Sequence, residues 1–87
     1  MASYKIEWKR SAVKELRSLP KDVVAKILQL VEQLSTNPYP AGVRKLIGVE
    51  HTYRIREGSY RIIFTITTST LVVEIVRVGH RKDVYDR

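Results

Sequence analysis

Between residues 52 and 67 the chain reads TYRIREGSYRIIFTIT, and no other stretch constrains the fold as strongly. Successive side chains of a strand point to opposite faces. Gly58-Ser59, at the centre, suits a two-residue hairpin turn. That turn sets Glu57 opposite Tyr60, Arg56 opposite Arg61, Ile55 opposite Ile62 and Tyr53 opposite Phe64. One face then carries Tyr53, Ile55, Ile62, Phe64 and Ile66, and the other carries Arg54, Arg56, Arg61 and Ile63. A slip of one residue would put Phe64 in water and arginines in the core, so the register is strongly specified.

The rest of the chain is read outward from this hairpin. A tight turn at Thr68-Ser69 leads to a third strand over 71–78, which adds Leu71, Val73 and Ile75 to the apolar face. Gly79 ends that strand, and 80–87 form a short basic tail. At the other end, Tyr4, Ile6 and Trp8 alternate with Lys5, Glu7 and Lys9, the pattern of a short strand buried on one side. Ser11 is expected to cap a first short helix with Ala12, Val13 and Leu16 on its apolar stripe, and Leu19-Pro20 ends it. Pro20 suits the first turn of a second helix over 21–35, where Val23, Ile27, Leu30 and Leu34 recur at helical spacing and Val24 and Val31 widen the stripe. TNPYPAGVR (36–44) reads as a loop. Helices and strands are segregated. The expected class is α+β: a small twisted, mostly antiparallel sheet, made of a short N-terminal strand and a three-stranded meander, with a helical hairpin packed on one face.

Eighty-seven residues imply one domain, 1–87. There is no Cys for a disulfide or thiolate cage. His51 and His80 stand too far apart for metal-ligand spacing, and no phosphate loop or cofactor motif is present, so neither metal nor cofactor is expected. No apolar run approaches a membrane span and the first ten residues lack a signal-peptide core, so a cytoplasmic protein with no membrane partner is expected. Sixteen Lys and Arg against nine Asp and Glu give a net charge of +7. On so small a body that excess calls for an anionic partner: nucleic acid, headgroups or an acidic protein.

The kind of basic residue narrows the choice. Up to residue 43 the chain has two Arg and five Lys; beyond it, seven Arg and two Lys. A solvated face has no need of that bias, whereas planar, bidentate recognition of phosphate does. Arg56 and Arg61 are direct cross-strand neighbours of like charge, an arrangement that costs about a few tenths of a kcal/mol. Arg54 flanks them, Arg81 and Lys82 arrive from the tail, and Glu74 is the one acidic side chain expected on that face. His80 can exchange a proton near neutral pH, and Tyr85 can stack on a base or fold back over the sheet.

The order of elements, together with KLIG (45–48), YRIREGSYRIIF (53–64) and RVGHRKDVY (77–85), resembles the RelE/ParE toxin superfamily, over nearly the whole chain. The RelE branch is similar to a small metal-independent ribonuclease that cuts mRNA in the ribosomal A site. There the 2′-hydroxyl attacks the adjacent phosphate, and a cognate RelB-like antitoxin neutralises the enzyme. The resemblance implies Arg56, Arg61, His80, Arg81 and Tyr85 as catalytic residues. It implies Arg54, Lys45, Arg77 and Lys82 as contacts to substrate, and mRNA on the ribosome and ribosomal RNA as partners. Arg54 and Arg56 stand where the best-known member has lysines. Arginine keeps its proton to pH 12 or above, so proton transfer is expected from His80 instead. Two other functions remain open: a ParE-like toxin that inhibits DNA gyrase without cutting RNA, and a non-catalytic RNA- or ribosome-binding module.

Overall fold

The computed structural model describes residues 3–84. Its elements are β1 (Lys5–Trp8), α1 (Arg10–Arg17), α2 (Lys21–Leu34), β2 (Arg44–Lys45), β3 (Thr52–Glu57), β4 (Tyr60–Thr67) and β5 (Val72–His80). They build one five-stranded sheet in the order β1-β5-β4-β3-β2, with β1 parallel to β5 and the other pairs antiparallel. The class is α+β, as the segregation of helical and strand patterns implies.

The central hairpin has the register that alternation dictates, with Arg56 opposite Arg61 and Ile55 opposite Ile62. Gly58 takes φ 59°, the left-handed conformation that the first position of such a turn requires and that glycine adopts without a Cβ clash. Ile55, Ile62, Phe64 and Ile66 meet Val73, Ile75 and Val78 of β5 on one face. Ala12 of α1 and Ile27, Val31 and Leu34 of α2 close over them. Phe64, Ile62 and Ile27 are wholly buried, and this apolar layer holds the helices to the sheet.

Four local expectations are corrected. The β4–β5 connection is residues 68–71, not a two-residue turn; Leu71 lies in it at φ 55° and is not a core residue. β5 continues past Gly79 through His80, and Arg81 extends the ladder by donating its N–H to the Ser59 carbonyl at 2.9 Å. Ser11 does not cap α1, which starts at Arg10 from Lys9 with no side-chain cap. Pro20 is the residue before α2, not within its first turn. β2 is an addition: two residues of the presumed loop end and its neighbour pair with Tyr53 and Arg54.

β5 also carries a bulge. Phe64 faces Ile75 but Ile63 faces Arg77, so Val76 is an extra residue. The bulge reverses the alternation beyond it. Val78 therefore turns toward the helices, and Arg77 turns away. The edge of β5 left bare where β1 stops at Trp8 is covered by α1. There Glu15 Oε1 accepts the Val78 N–H at 3.0 Å, and Glu15 Oε2 accepts Arg77 Nη2 at 2.9 Å. No helix among the described residues is long and apolar enough to cross a membrane.

Candidate functional site

Three arginines separated by up to 25 positions meet at the turn of the β3–β4 hairpin. Strand pleating puts Arg56 and Arg61 on the same side, directly across from each other. The final β4–β5 pair, Tyr60 with His80, together with the Arg81 bond to Ser59, brings Arg81 alongside. Arg56, Arg61 and Arg81 line one cleft of about 100 Å³, with Gly58, Ser59 and Tyr60 making up its wall. Arg56 and Arg81 are exposed and Arg61 is half-buried. Arg61 Nη1 donates to the Val84 carbonyl at 3.0 Å, which fixes the plane of its guanidinium. A small cleft lined by three guanidinium groups, one of them fixed by a hydrogen bond, can hold a phosphate-sized anion.

The other sequence candidates are placed differently. Arg54 shares the parity of Arg56, yet it is only 6% exposed, lies opposite Ile63 and Arg44, and does not line the cleft. Arg54 and Arg61 both make further polar contacts, as burial of a guanidinium demands. Arg77 is held by Glu15 through Nε at 3.3 Å and Nη2 at 2.9 Å. Lys45 lies on β2, at the far edge of the sheet from β5. Lys82 is exposed in the tail, where its backbone N–H donates to His80 Nδ1 at 3.1 Å. Tyr85 lies outside the described residues.

His80 is not in the arginine cleft. It faces Tyr60 edge-on, ring centroids 5.5 Å apart. With Tyr60, Leu19, Pro20, Val78 and Glu15 it lines a second, larger cleft of about 310 Å³ at the α1–α2 corner. The pleat is the reason: residues 60 and 80 point to the helix side, and 61 and 81 to the other. The bond from Lys82 makes Nδ1 an acceptor, so the neutral ring carries its proton on Nε2.

Sequence reasoning missed two supports of the site. Glu15 gave no signal, because its partners lie more than 60 positions away. Gly79 did give one, since a glycine inside a strand marks a close approach of other atoms. Val84 makes that approach; it is fully buried on the arginine side of the sheet, apart from the main core.

The comparisons with known proteins agree with this architecture. The family model described as the ParE toxin of the type II toxin–antitoxin system, parDE, matches residues 6–85. The chain is 32% identical to Toxin RelG of Mycobacterium tuberculosis, covering 97% of this chain and 98% of the relative. It is 31% identical to Toxin RelE3 of Methanocaldococcus jannaschii, covering 94% and 96%. Among solved structures it is similar to the archaeal RelE–RelB complex of Pyrococcus horikoshii, with a TM-score of 0.82 at 30% identity, covering 97% of this chain and 100% of that one. Sequence match and sheet order together place the chain in the RelE/ParE superfamily, as a member of the toxin family of type II toxin–antitoxin systems.

Proposed function

We propose that this toxin, as a single domain spanning 1–87, is a metal-independent endoribonuclease. It cuts mRNA in the ribosomal A site, acts in the cytoplasm, and is neutralised by a cognate RelB-like antitoxin. The observation that carries the reading is the meeting of Arg56, Arg61 and Arg81 at one cleft. Relatives named RelE and a structure titled as a RelE–RelB complex support the toxin branch and the partner.

The chemistry follows from the charges. The 2′-oxygen of one nucleotide bonds to the adjacent phosphorus, and the bond from phosphorus to the 5′-oxygen breaks. The products are a 2′,3′-cyclic phosphate and a 5′-hydroxyl. The 2′-hydroxyl proton passes to water and the leaving oxygen takes one from water. Negative charge builds on the non-bridging oxygens in between, and Arg56 and Arg61 neutralise it from the wall of the cleft. Arg81 stabilises the 5′-oxygen as it departs. His80, with Nδ1 engaged and its ring in the neighbouring cleft, contributes substrate contact rather than the proton transfer assigned to it from sequence. Tyr85 is the candidate for stacking on a base, and Arg54, Lys45, Arg77 and Lys82 for the surrounding field.

Primer extension on a translated message tests the reading. Codon-phased cuts that need ribosomes, and that vanish when the nucleotide before the cut carries a 2′-O-methyl group, are expected. Intact message with blocked DNA supercoiling would instead assign the chain to gyrase inhibition, the activity of the ParE branch that the family model names. Ribosome binding with neither effect would leave a non-catalytic module.

A further inference from the structure

Val84 seats the tail beyond β5 against the sheet at Gly79. Val84 is wholly buried although it follows the last strand and stands apart from the core beneath the helices. Its socket is Gly79. A Cβ at that position would stand 2.8 Å from Val84 Cγ2, a separation that packed atoms do not tolerate. Gly79 does not have the positive φ of Gly42, Gly48 and Gly58, so the backbone there accepts any residue. Only the approach of Val84 demands glycine.

The socket is part of the wall of the His80 cleft and adjoins the arginine cleft through the strand pairing of Arg61. Gly79 is the ladder partner of Arg61. Asp83 and Val84 donate their N–H groups to the His80 carbonyl at 2.8 and 3.1 Å, closing a turn around Arg81 and Lys82. The Val84 carbonyl in turn accepts from Arg61 Nη1 at 3.0 Å. The backbone of Arg81 is thus held on one side by the Ser59 bond and on the other by the turn that Val84 anchors. Two of the three cleft arginines depend on where Val84 sits. An apolar anchor also suits this face, because an acidic one would compete with phosphate for the same guanidinium groups.

We propose that Gly79 and Val84 form a positioning lock that sets the guanidinium groups of Arg61 and Arg81 for the scissile phosphate. The lock rests on the nuclease reading for its purpose, though not for its geometry. Val84 acts through Arg61 and Arg81 and does not touch the RNA.

The test compares wild type, Val84→Ala, Gly79→Ala and the double variant. Single-turnover cleavage on programmed ribosomes is resolved into the saturating rate and the half-saturating ribosome concentration. The side-chain Nε–H signals of Arg61 and Arg81 are followed by NMR. Misplacing a catalytic group by about an ångström costs up to about 100-fold, so each single variant is expected to lose roughly 10- to 100-fold in saturating rate while half-saturation moves less than about 3-fold. The Arg61 signal should shift or broaden in both. The double variant is expected to recover to within about 5-fold of wild type, because truncating Val84 removes the Cγ2 that a residue-79 methyl would meet. Single variants matching wild type in both readouts, or a double variant no better than the worse single one, would overturn the lock. Should Gly79→Ala not fold, Val84→Ala alone carries the same two readouts. A wild-type protein that cuts nothing defeats the nuclease reading. The arginine signals then decide the lock alone, unchanged signals refuting it.

Discussion

Arg61 ties the fold to the proposed chemistry. It lines the cleft, and it also holds the tail through Val84. A hydrogen bond from a charged donor contributes about 1.5–3 kcal/mol when buried and less when half-exposed. Arg61→Ala is therefore expected to stay folded while losing about 1 kcal/mol, which for a domain of this size lowers the melting temperature by roughly 4–8 °C. Thermal unfolding by circular dichroism checks this; a chain unfolded at 25 °C would make Arg61 primarily structural. His80 is the converse case. Acid–base catalysis typically contributes 10²–10⁴-fold, so a proton-transfer residue should reveal itself clearly. With its ring in the adjacent cleft, His80→Gln is expected to slow ribosome-bound cleavage by less than about 10-fold; a loss above about 100-fold would restore its sequence-assigned role. The arginines were legible as a face because parity alone sorts residues 54, 56 and 61 together. Parity could not separate Arg54, which is buried, from Arg56, which is exposed, because burial depends on tertiary neighbours that alternation does not encode.

At the level of elements, β5 decides what reaches the cleft. β3 and β4 were readable to the residue, since a glycine-led turn and strict alternation leave one register. β5 was not. Its bulge at Val76 breaks the alternation, and a glycine among its last residues reads as the end of a strand. β2 is too short for any periodic signal. The bulge makes sense of Glu15: once β1 ends, Val78 would expose an unpaired N–H at a sheet edge, and a carboxylate from α1 takes the place of a strand. An unmet buried donor costs about 1–3 kcal/mol, whereas a part-exposed ion pair such as Glu15–Arg77 contributes about 0.2–1 kcal/mol. The strand bond therefore outweighs the salt bridge. Glu15→Ala is expected to destabilise by about 1–3 kcal/mol in urea titration, and Glu15→Gln, which keeps an acceptor, by less than half of that. Equal losses in the two variants would show that the charge, not the edge bond, holds β5.

On the scale of the whole molecule, charge is distributed by role. Lysines sit mainly on the helical half, and arginines concentrate on the sheet and tail, where geometry matters. A net charge of +7 favours encounter with any polyanion, but it does not choose a reaction. In the proposed mechanism the choice lies in the three guanidinium groups of the cleft. If these three contacts dominate binding to single-stranded RNA, the slope of log K against log salt is about −2, a loss of roughly 20-fold between 50 and 200 mM. Filter binding or fluorescence anisotropy measures it, and a flat response would remove phosphate neutralisation from the mechanism. The fold and the family were legible because every level of the sequence agreed, from turn glycine to alternation to motif spacing. The proposed tail lock was not, because it joins a glycine, which has no side chain to read, to a valine past the end of the strand. Single-turnover cleavage of mRNA on programmed ribosomes by Arg56→Ala, Arg61→Ala and Arg81→Ala tests the cleft most directly. Each folded variant is expected to fall by about 100-fold or more, the usual loss when one preorganised donor to a charged transition state is removed. Rates within about 3-fold of wild type for all three would contradict a nuclease centred on these residues.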